Sequence, residues 1–228
     1  MVTAETDSQG GDGRTSALRL RDGLVVLLGV TTGVADATAF LALGRVFSSV
    51  MTGNMVLLGV GAASHDGAEA LRAGLAIAGY AAGVLAGSDR CPNRPPPHLP
   101  VAVTVTLAVQ ACALIAFAVA WQATTRRGAP GIGLLILLSA AMGIQAAAVR
   151  RLGQMSSTYL TGALTSVIAS LVPPRRAPGR TRDAGVMLAV IVGALAGGLL
   201  VRSGPAWVPV PLLLPLLAVI GWAAVLAD

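Results

Sequence analysis

A single carboxylate, Asp36, lies within the apolar run from Leu24 to Leu43, about twelve residues from its start. An ionised carboxylate costs roughly 2.5–3.5 kcal/mol inside a membrane, and intramembrane acids often mark proton or ion paths. Thr32, four positions earlier, would share a helical face with Asp36. The residues therefore predict either a proton or ion path, or a carboxylate that caps a half-helix or accepts hydrogen bonds from hydroxyls in the bundle.

Two Thr-Gly pairs interrupt apolar sequence in the same way. Thr52, Gly53 and Asn54 lie in "SSVMTGNMVLLG", and Thr161 and Gly162 lie in "SSTYLTGALTSV", 109 positions further along. Such a pair permits a bend or a close backbone contact and offers a hydroxyl group, although helix packing without chemistry explains it too. The predicted solute or ion path comprises Asp36, Thr32, Thr52, Gly53, Asn54, Gln145, Thr161 and Gly162.

The elements that carry these residues must be membrane helices. The chain has 228 residues, of which 55% are hydrophobic and 11% charged, and its mean hydropathy is +0.77. This composition predicts an all-α polytopic membrane protein. Six stretches are long enough to cross: Leu24 to Leu43, Ala68 to Gly87, Leu99 to Ala123, Ile132 to Val149, Ala184 to Val201 and Trp207 to Ala227. Val46 to Ala63 and Met155 to Val172 are weaker, and they hold the Thr-Gly pairs.

An internal repeat relates the two halves of the chain. Residues 36–58 align with 145–167, which pairs Thr52 with Thr161, Gly53 with Gly162, and Asp36 with Gln145. We therefore predict one membrane domain, residues 22–228, made of homologous repeats at about 22–123 and 131–227.

The repeat leaves two topologies open. If the Thr-Gly segments cross, each half has four spans and the halves are parallel; if they re-enter, each half has three and the halves are inverted. Eight spans place 10 arginines on the side of the N-terminus and 6 opposite, and six spans place 11 and 5. That difference does not decide, but the lower hydrophobicity of the Thr-Gly segments favours six.

Small residues recur on two of the spans. Gly79, Gly83 and Gly87 form one smooth face, and Gly193 and Gly197 match the first two in the other half. Glycine at this spacing allows close helix packing. The same faces are compatible with a homo-oligomer.

Charge excludes several other classes of protein. All 16 basic residues are arginine, and with 10 acidic residues the formal net charge is +6. The arginines flank the spans, as the positive-inside rule describes, so we predict no nucleic-acid partner and a cytoplasmic N-terminus.

Residues 1–21 are polar and Gly-rich and predict a disordered cytoplasmic tail. The sequence shows no metal-ligand cluster, cofactor fingerprint or catalytic set, so we expect no metal, no cofactor and no enzyme activity.

Two longer stretches resemble a known family. "GVADATAFLALGRVFSSVMTGNMVLLG" and "GIQAAAVRRLGQMSSTYLTGALTSVIASL" are similar to the YoaK family of bacterial inner-membrane proteins, over nearly the whole chain from about residue 22. The resemblance implies a six-span protein of the bacterial cytoplasmic membrane, in contact with the lipid bilayer, with functional interest in Asp36, Ala37, Thr52, Gly53, Asn54, Gln145, Arg150, Thr161 and Gly162. Family members commonly have Asn after that Gln, where this chain has Ala146. The resemblance carries no established activity.

Two functions follow as hypotheses. The first is a secondary transporter of a small solute, with proton coupling through Asp36 as an extension, because two halves with polar, Gly-containing interruptions are typical of such proteins. The second is a non-transporting structural or regulatory membrane protein that acts through helix association.

Overall fold

The computed structural model describes residues 6–88, 101–151, 160–169 and 180–225. The described residues form α-helices joined by short connections, with a 3₁₀ turn at Pro205–Trp207. The helices are α1 (Thr6–Ala42), α2 (Met51–Ala63), α3 (Gly67–Ser88), α4 (Val101–Ala123), α5 (Gly128–Arg151), α6 (Leu160–Ala169), α7 (Arg180–Ser203) and α8 (Pro209–Val225). The predicted all-α fold is confirmed.

Six of these helices are long and apolar enough to cross a membrane, as the sequence predicts. The two weaker segments contain α2 and α6, with 13 and 10 residues. At about 1.5 Å per residue these helices are roughly 20 and 15 Å long, against about 30 Å of hydrocarbon. Helix α2 and the described part of α6 are each too short to cross alone.

Helix α1 begins at Thr6, so residues 6–21 are helical and not the disordered tail that the sequence predicts. The membrane-spanning part of this helix covers Asp22–Ala42. Extending a helix that packing already holds requires no new nucleation, because each added residue gains a backbone hydrogen bond. The polar composition of residues 6–21 therefore did not reveal that they are part of helix α1.

Two pairs of spans are joined along glycines, and we call these contacts the glycine seams. In the α1–α7 seam, a methyl group at Gly33 would overlap the Val190 carbonyl oxygen, and one at Gly197 would lie 3.0 Å from Val34. Residue numbers rise together along both helices, so α1 and α7 are parallel. Glycine lets the two backbones touch here.

The α3–α5 seam is built in the same way. A methyl group at Gly83 would overlap the Ala140 carbonyl oxygen, and one at Gly79 would lie 2.8 Å from the carbonyl oxygen of Ile136. Gly87 continues the contact onto Ala147. The numbers again rise together, so α3 and α5 are parallel.

Contacts at the other end of the bundle orient the two seams. The Trp121 indole N–H donates to the Pro205 carbonyl at 2.7 Å, so the end of α4 meets the end of α7. Helix α4 therefore runs in the same direction as α7 and α1. Because residues 124–127 join α4 to α5 in a short turn, α5 runs in the opposite direction, and so does its parallel partner α3.

These directions define two faces of the bundle. The N face carries Asp22 and the C-terminal ends of α3 and α5; the opposite face carries Ala42 and the N-terminal end of α3. Since α1 ends and α3 begins at the opposite face, the chain from 43 to 66, which includes α2, has no net crossing. Likewise α5 ends and α7 begins at the N face, with α6 between them along the chain. The contacts favour the six-span topology, with one short helix returning to each face.

Helices α1 and α5 lie at the centre of the bundle and are the most buried of the spans. Each contacts the other, and α1 also packs on α8 as α5 packs on α4. Large apolar side chains such as Leu28, Leu135 and Phe117 fill the core between them. The polar residues of α1 and α5 thus lie where lipid does not reach.

Candidate functional site

The Asp36 carboxylate accepts four hydrogen bonds from two adjacent serines. Oδ1 accepts from the backbone N–H of Ser48 at 2.9 Å, from the Ser48 hydroxyl at 3.0 Å and from the backbone N–H of Ser49 at 2.8 Å. Oδ2 accepts from the Ser49 hydroxyl at 2.6 Å. Every partner is a donor, which is the arrangement that compensates a buried carboxylate.

The serines reach Asp36 because the connection after α1 folds back on that helix. Gly44 and Arg45 have φ values of 116° and 63°, and these left-handed conformations reverse the chain. Asp36 is six positions before Ala42, so residues 48 and 49 return about 9 Å along α1. Helix α2 then begins at Met51, two residues after Ser49.

Asn54 holds the same connection from the other side. Its Oδ1 accepts the backbone N–H of Phe47 at 2.9 Å, and its Nδ2 donates to the Phe47 carbonyl at 2.7 Å. The Phe47 ring stacks on Phe40 of α1 with 5.3 Å between ring centroids. Asp36 and Asn54 therefore fix successive residues of one returning segment, residues 43–50, which we call the returning loop.

A second polar cluster, the amide chain, joins α4, α5 and α1. The side-chain amide of Gln110 donates to Gln145 Oε1 at 2.7 Å, and Gln145 Nε2 donates to the Thr32 hydroxyl at 2.8 Å and to the Leu28 carbonyl at 3.2 Å. Both glutamines are buried, and Gln110 is fully so. Gln110 and Thr32 each lie near the middle of their spans, so the amide chain is close to mid-membrane.

The amide chain ends in an unpaired acceptor. Gln110 Oε1 is buried and has no hydrogen-bond partner among the described residues. The Ser139 hydroxyl, on α5, is in the same state. Buried amide oxygens are nearly always paired in proteins, so this unpaired acceptor calls for an explanation.

The other residues that the sequence singled out fall into two groups. Thr52 is exposed and does not face the bundle interior, whereas Gly53 lies against the Phe47 ring, with 3.2 Å from an added methyl group to the nearest ring carbon. Gly162 is at the start of α6, and the Thr161 side chain lies outside the described residues. The Thr-Gly pair of the first half therefore shapes α2 and the returning loop, and its threonine does not join the amide chain.

The Thr32 hydroxyl does not bond to Asp36. Thr32 shares a face with Asp36, but its hydroxyl donates to the Leu28 carbonyl at 3.1 Å and accepts from Gln145. Arg150 is exposed, and Arg151 donates to the Thr106 hydroxyl at 3.0 Å and to the Ser88 carbonyl, which ties α3, α4 and α5 together at the N face. Neither arginine bonds to Asp36.

Three residues of the site were missed from the sequence. Ser48 and Ser49 are unremarkable in type, and only the chain reversal at Gly44 brings them to Asp36. Gln110 did carry a signal, because an amide inside an apolar span is as unusual as Gln145, but it has no counterpart in the repeat alignment. Among the described residues, no group of three His, Cys, Asp or Glu side chains is placed to hold a metal ion.

The fold and the buried polar clusters define a multi-pass helical membrane protein. Residues 24–222 match the family described as a protein of unknown function (DUF1275), and the chain belongs to this family. It is 35% identical over 158 residues to the UPF0700 transmembrane protein YoaK of Bacillus subtilis (strain 168), which covers 68% of this chain and 69% of that protein. No solved structure gives a significant match.

Proposed function

We propose that the protein is a secondary transporter of a small solute, built from two inverted repeats. The observation that carries the proposal is the buried amide chain, which joins α4, α5 and α1 and ends in an unpaired acceptor. Polar groups are costly inside a membrane and usually serve binding or conduction. Transporters of this kind place their solute site near mid-membrane, between repeats and next to interrupted helices.

The packing pattern supports the inverted repeats. Residues 22–123 and 128–225 have the same order of elements, which is long, short, long and long. Exchanging the halves turns the α1–α7 seam into the α5–α3 seam, and the α1–α8 contact into the α5–α4 contact. A two-fold axis in the membrane plane relates elements in this way, and it would pass between α1 and α5.

Asp36 is the candidate for proton coupling. Within the described spans it is the only charged residue at least six positions from both ends. Its Oδ2 accepts only from the Ser49 hydroxyl, which is able to reverse its own O–H and accept a hydrogen bond from the protonated carboxyl group. The site therefore accommodates both the charged and the neutral carboxyl group without losing the returning loop.

The first experiment identifies a solute. Purified protein is screened against small metabolites by thermal shift, since a ligand that binds only the folded state raises the melting temperature by mass action. We expect a small set of related compounds to stabilise the protein. If no compound in a broad set of metabolites raised the melting temperature, the result would support the rival function. In that case the protein is a structural or regulatory partner that acts through helix association.

The second experiment tests proton coupling with Asp36→Asn in proteoliposomes loaded with the solute found in the screen. Asn keeps the size of the side chain and its hydrogen bonds but cannot exchange a proton. We expect transport that no longer responds to a pH gradient, while Asp22→Asn, the same change at the N face of the same helix, keeps the response. A wild-type pH response in Asp36→Asn would leave Asp36 with the anchoring role alone.

A further inference from the structure

The orientation of the amide chain is fixed by one backbone group. The Leu28 carbonyl can only accept, so the Gln145 amide nitrogen must point towards it, at 3.2 Å. Gln145 Oε1 then faces Gln110 and takes its amide N–H at 2.7 Å. The free end of the chain is consequently Gln110, whose Oε1 is an unpaired acceptor and whose second N–H is an unused donor.

Gln110 Oε1 needs a hydrogen-bond donor from another molecule. It is fully buried and unpaired among the described residues, and the second N–H of the Gln110 amide has no partner there either, since Nε2 makes one hydrogen bond. An N–H or O–H group on a bound molecule would satisfy it. The Thr32 hydroxyl gives its own proton to the Leu28 carbonyl and so does not compete for this role.

The charged groups near the chain are bonded to other partners. Arg151 donates to the Thr106 hydroxyl, one helical turn from Gln110, and to the Ser88 carbonyl. The nearest carboxylate on α1 is Asp36, one helical turn from Thr32, and both of its oxygens are occupied by the serines of the returning loop. No arginine among the described residues bonds to any member of the amide chain. A charged molecule at this depth would need a counter-charge, whereas amide and hydroxyl dipoles suffice for a neutral one.

We propose that Gln110, Gln145 and Thr32 form the recognition site of the transporter, and that its solute is a small neutral molecule that donates a hydrogen bond to Gln110 Oε1. This inference rests on the proposed transport function. Gln110 is the specificity residue of the site, Gln145 orients it, and Thr32 together with Leu28 orients Gln145. The solute class includes small amides and polyols.

Proteoliposome swelling tests the assignment with probes of defined charge. The neutral probes are urea, acetamide and glycerol, and the permanently charged ones are tetramethylammonium and methanesulfonate. We expect at least one neutral probe to enter faster than into protein-free liposomes, and neither charged probe to do so. The variant Gln110→Met removes the Oε1 acceptor and also the amide donor to Gln145, at similar volume. It should slow entry at least about tenfold, the equivalent of the hydrogen bond lost to the solute. The matched control is Gln122→Met, an exposed glutamine on the same helix, which should keep the wild-type rate.

The outcomes separate the two proposals. Entry of a charged probe in place of the neutral ones would overturn the neutral class while leaving transport intact, and a wild-type rate in Gln110→Met would overturn the role of Gln110. If no neutral probe enters faster than into protein-free liposomes, the assignment of the site to small neutral solutes is overturned, while transport itself is decided by the ligand screen. Should Gln110→Met not fold, Gln110→Asn keeps the amide on a shorter side chain, and its rate should lie below wild type.

Discussion

At the scale of single residues, Asp36 combines a buried charge with a structural task. Replacing it with alanine removes the acceptor for four donors, two of which are the backbone N–H groups of Ser48 and Ser49. A buried donor left unpaired costs about 1–3 kcal/mol. We expect Asp36→Ala to lower the melting temperature in detergent clearly, whereas Asp36→Asn, which keeps the oxygen facing both N–H groups, should melt near wild type. Equal melting of the two variants would contradict the anchoring role.

The residue scale is also where the sequence was least informative. Spacing correctly put Thr32 and Asp36 on one face of α1, because helical periodicity is local. It could not supply their partners, which are Gln145 at 113 positions for Thr32 and the serines at 12 and 13 positions for Asp36. Those contacts depend on chain reversal and helix packing, and neither is encoded in a local pattern.

At the scale of elements, the glycine seams predict that a larger side chain at a seam glycine destabilises the folded protein. A methyl group at Gly83 would overlap the Ala140 carbonyl oxygen, which is backbone and cannot turn aside, whereas one at Gly133 on α5 meets nothing within 4 Å. We expect Gly83→Ala to destabilise the folded protein by roughly 1–3 kcal/mol, as overpacking does. Gly133→Ala should be neutral or slightly stabilising, because alanine favours the helix. Comparable melting of the two variants would show that α3 and α5 separate at little cost.

The extent of the spans was predictable because length and hydropathy are properties of each segment alone. Whether the two short segments cross the membrane was harder to predict. The arginine counts are 11 and 5 for six spans and 10 and 6 for eight spans, and this difference does not decide between the topologies. The deciding contact joins Trp121 to Pro205, 84 positions apart. Such a pair appears only when the whole bundle is assembled.

At the scale of the whole molecule, the six-span topology predicts which positions share a side of the membrane. Ser64, between α2 and α3, and Ser203, at the end of α7, are both exposed and belong to the opposite face, and Arg150 is exposed at the N face. The six-span topology predicts eleven of the sixteen arginines on the N face, and the positive-inside rule then predicts that this face is cytoplasmic.

Cysteine labelling in intact cells measures this arrangement. In a background with Cys91 and Cys112 replaced by alanine, Ser64→Cys and Ser203→Cys should react with a membrane-impermeant thiol reagent, and Arg150→Cys should react only after lysis. Labelling of Ser203→Cys without Ser64→Cys would indicate eight spans. Labelling of Arg150→Cys alone would reverse the orientation.

The glycine seams also determine which parts of the molecule can behave as rigid bodies. Each seam fastens a helix of one half to a helix of the other, so the two halves are interleaved and cannot rock against each other as separate blocks. The units left free to tilt are α1 with α7 and α3 with α5, and the hydrogen bond from Gln145 to Thr32 crosses between them. The amide chain therefore joins the two units, and any tilt of one against the other has to keep or break its hydrogen bonds. If the proposed solute bonds to Gln110, it does so where the two units are joined.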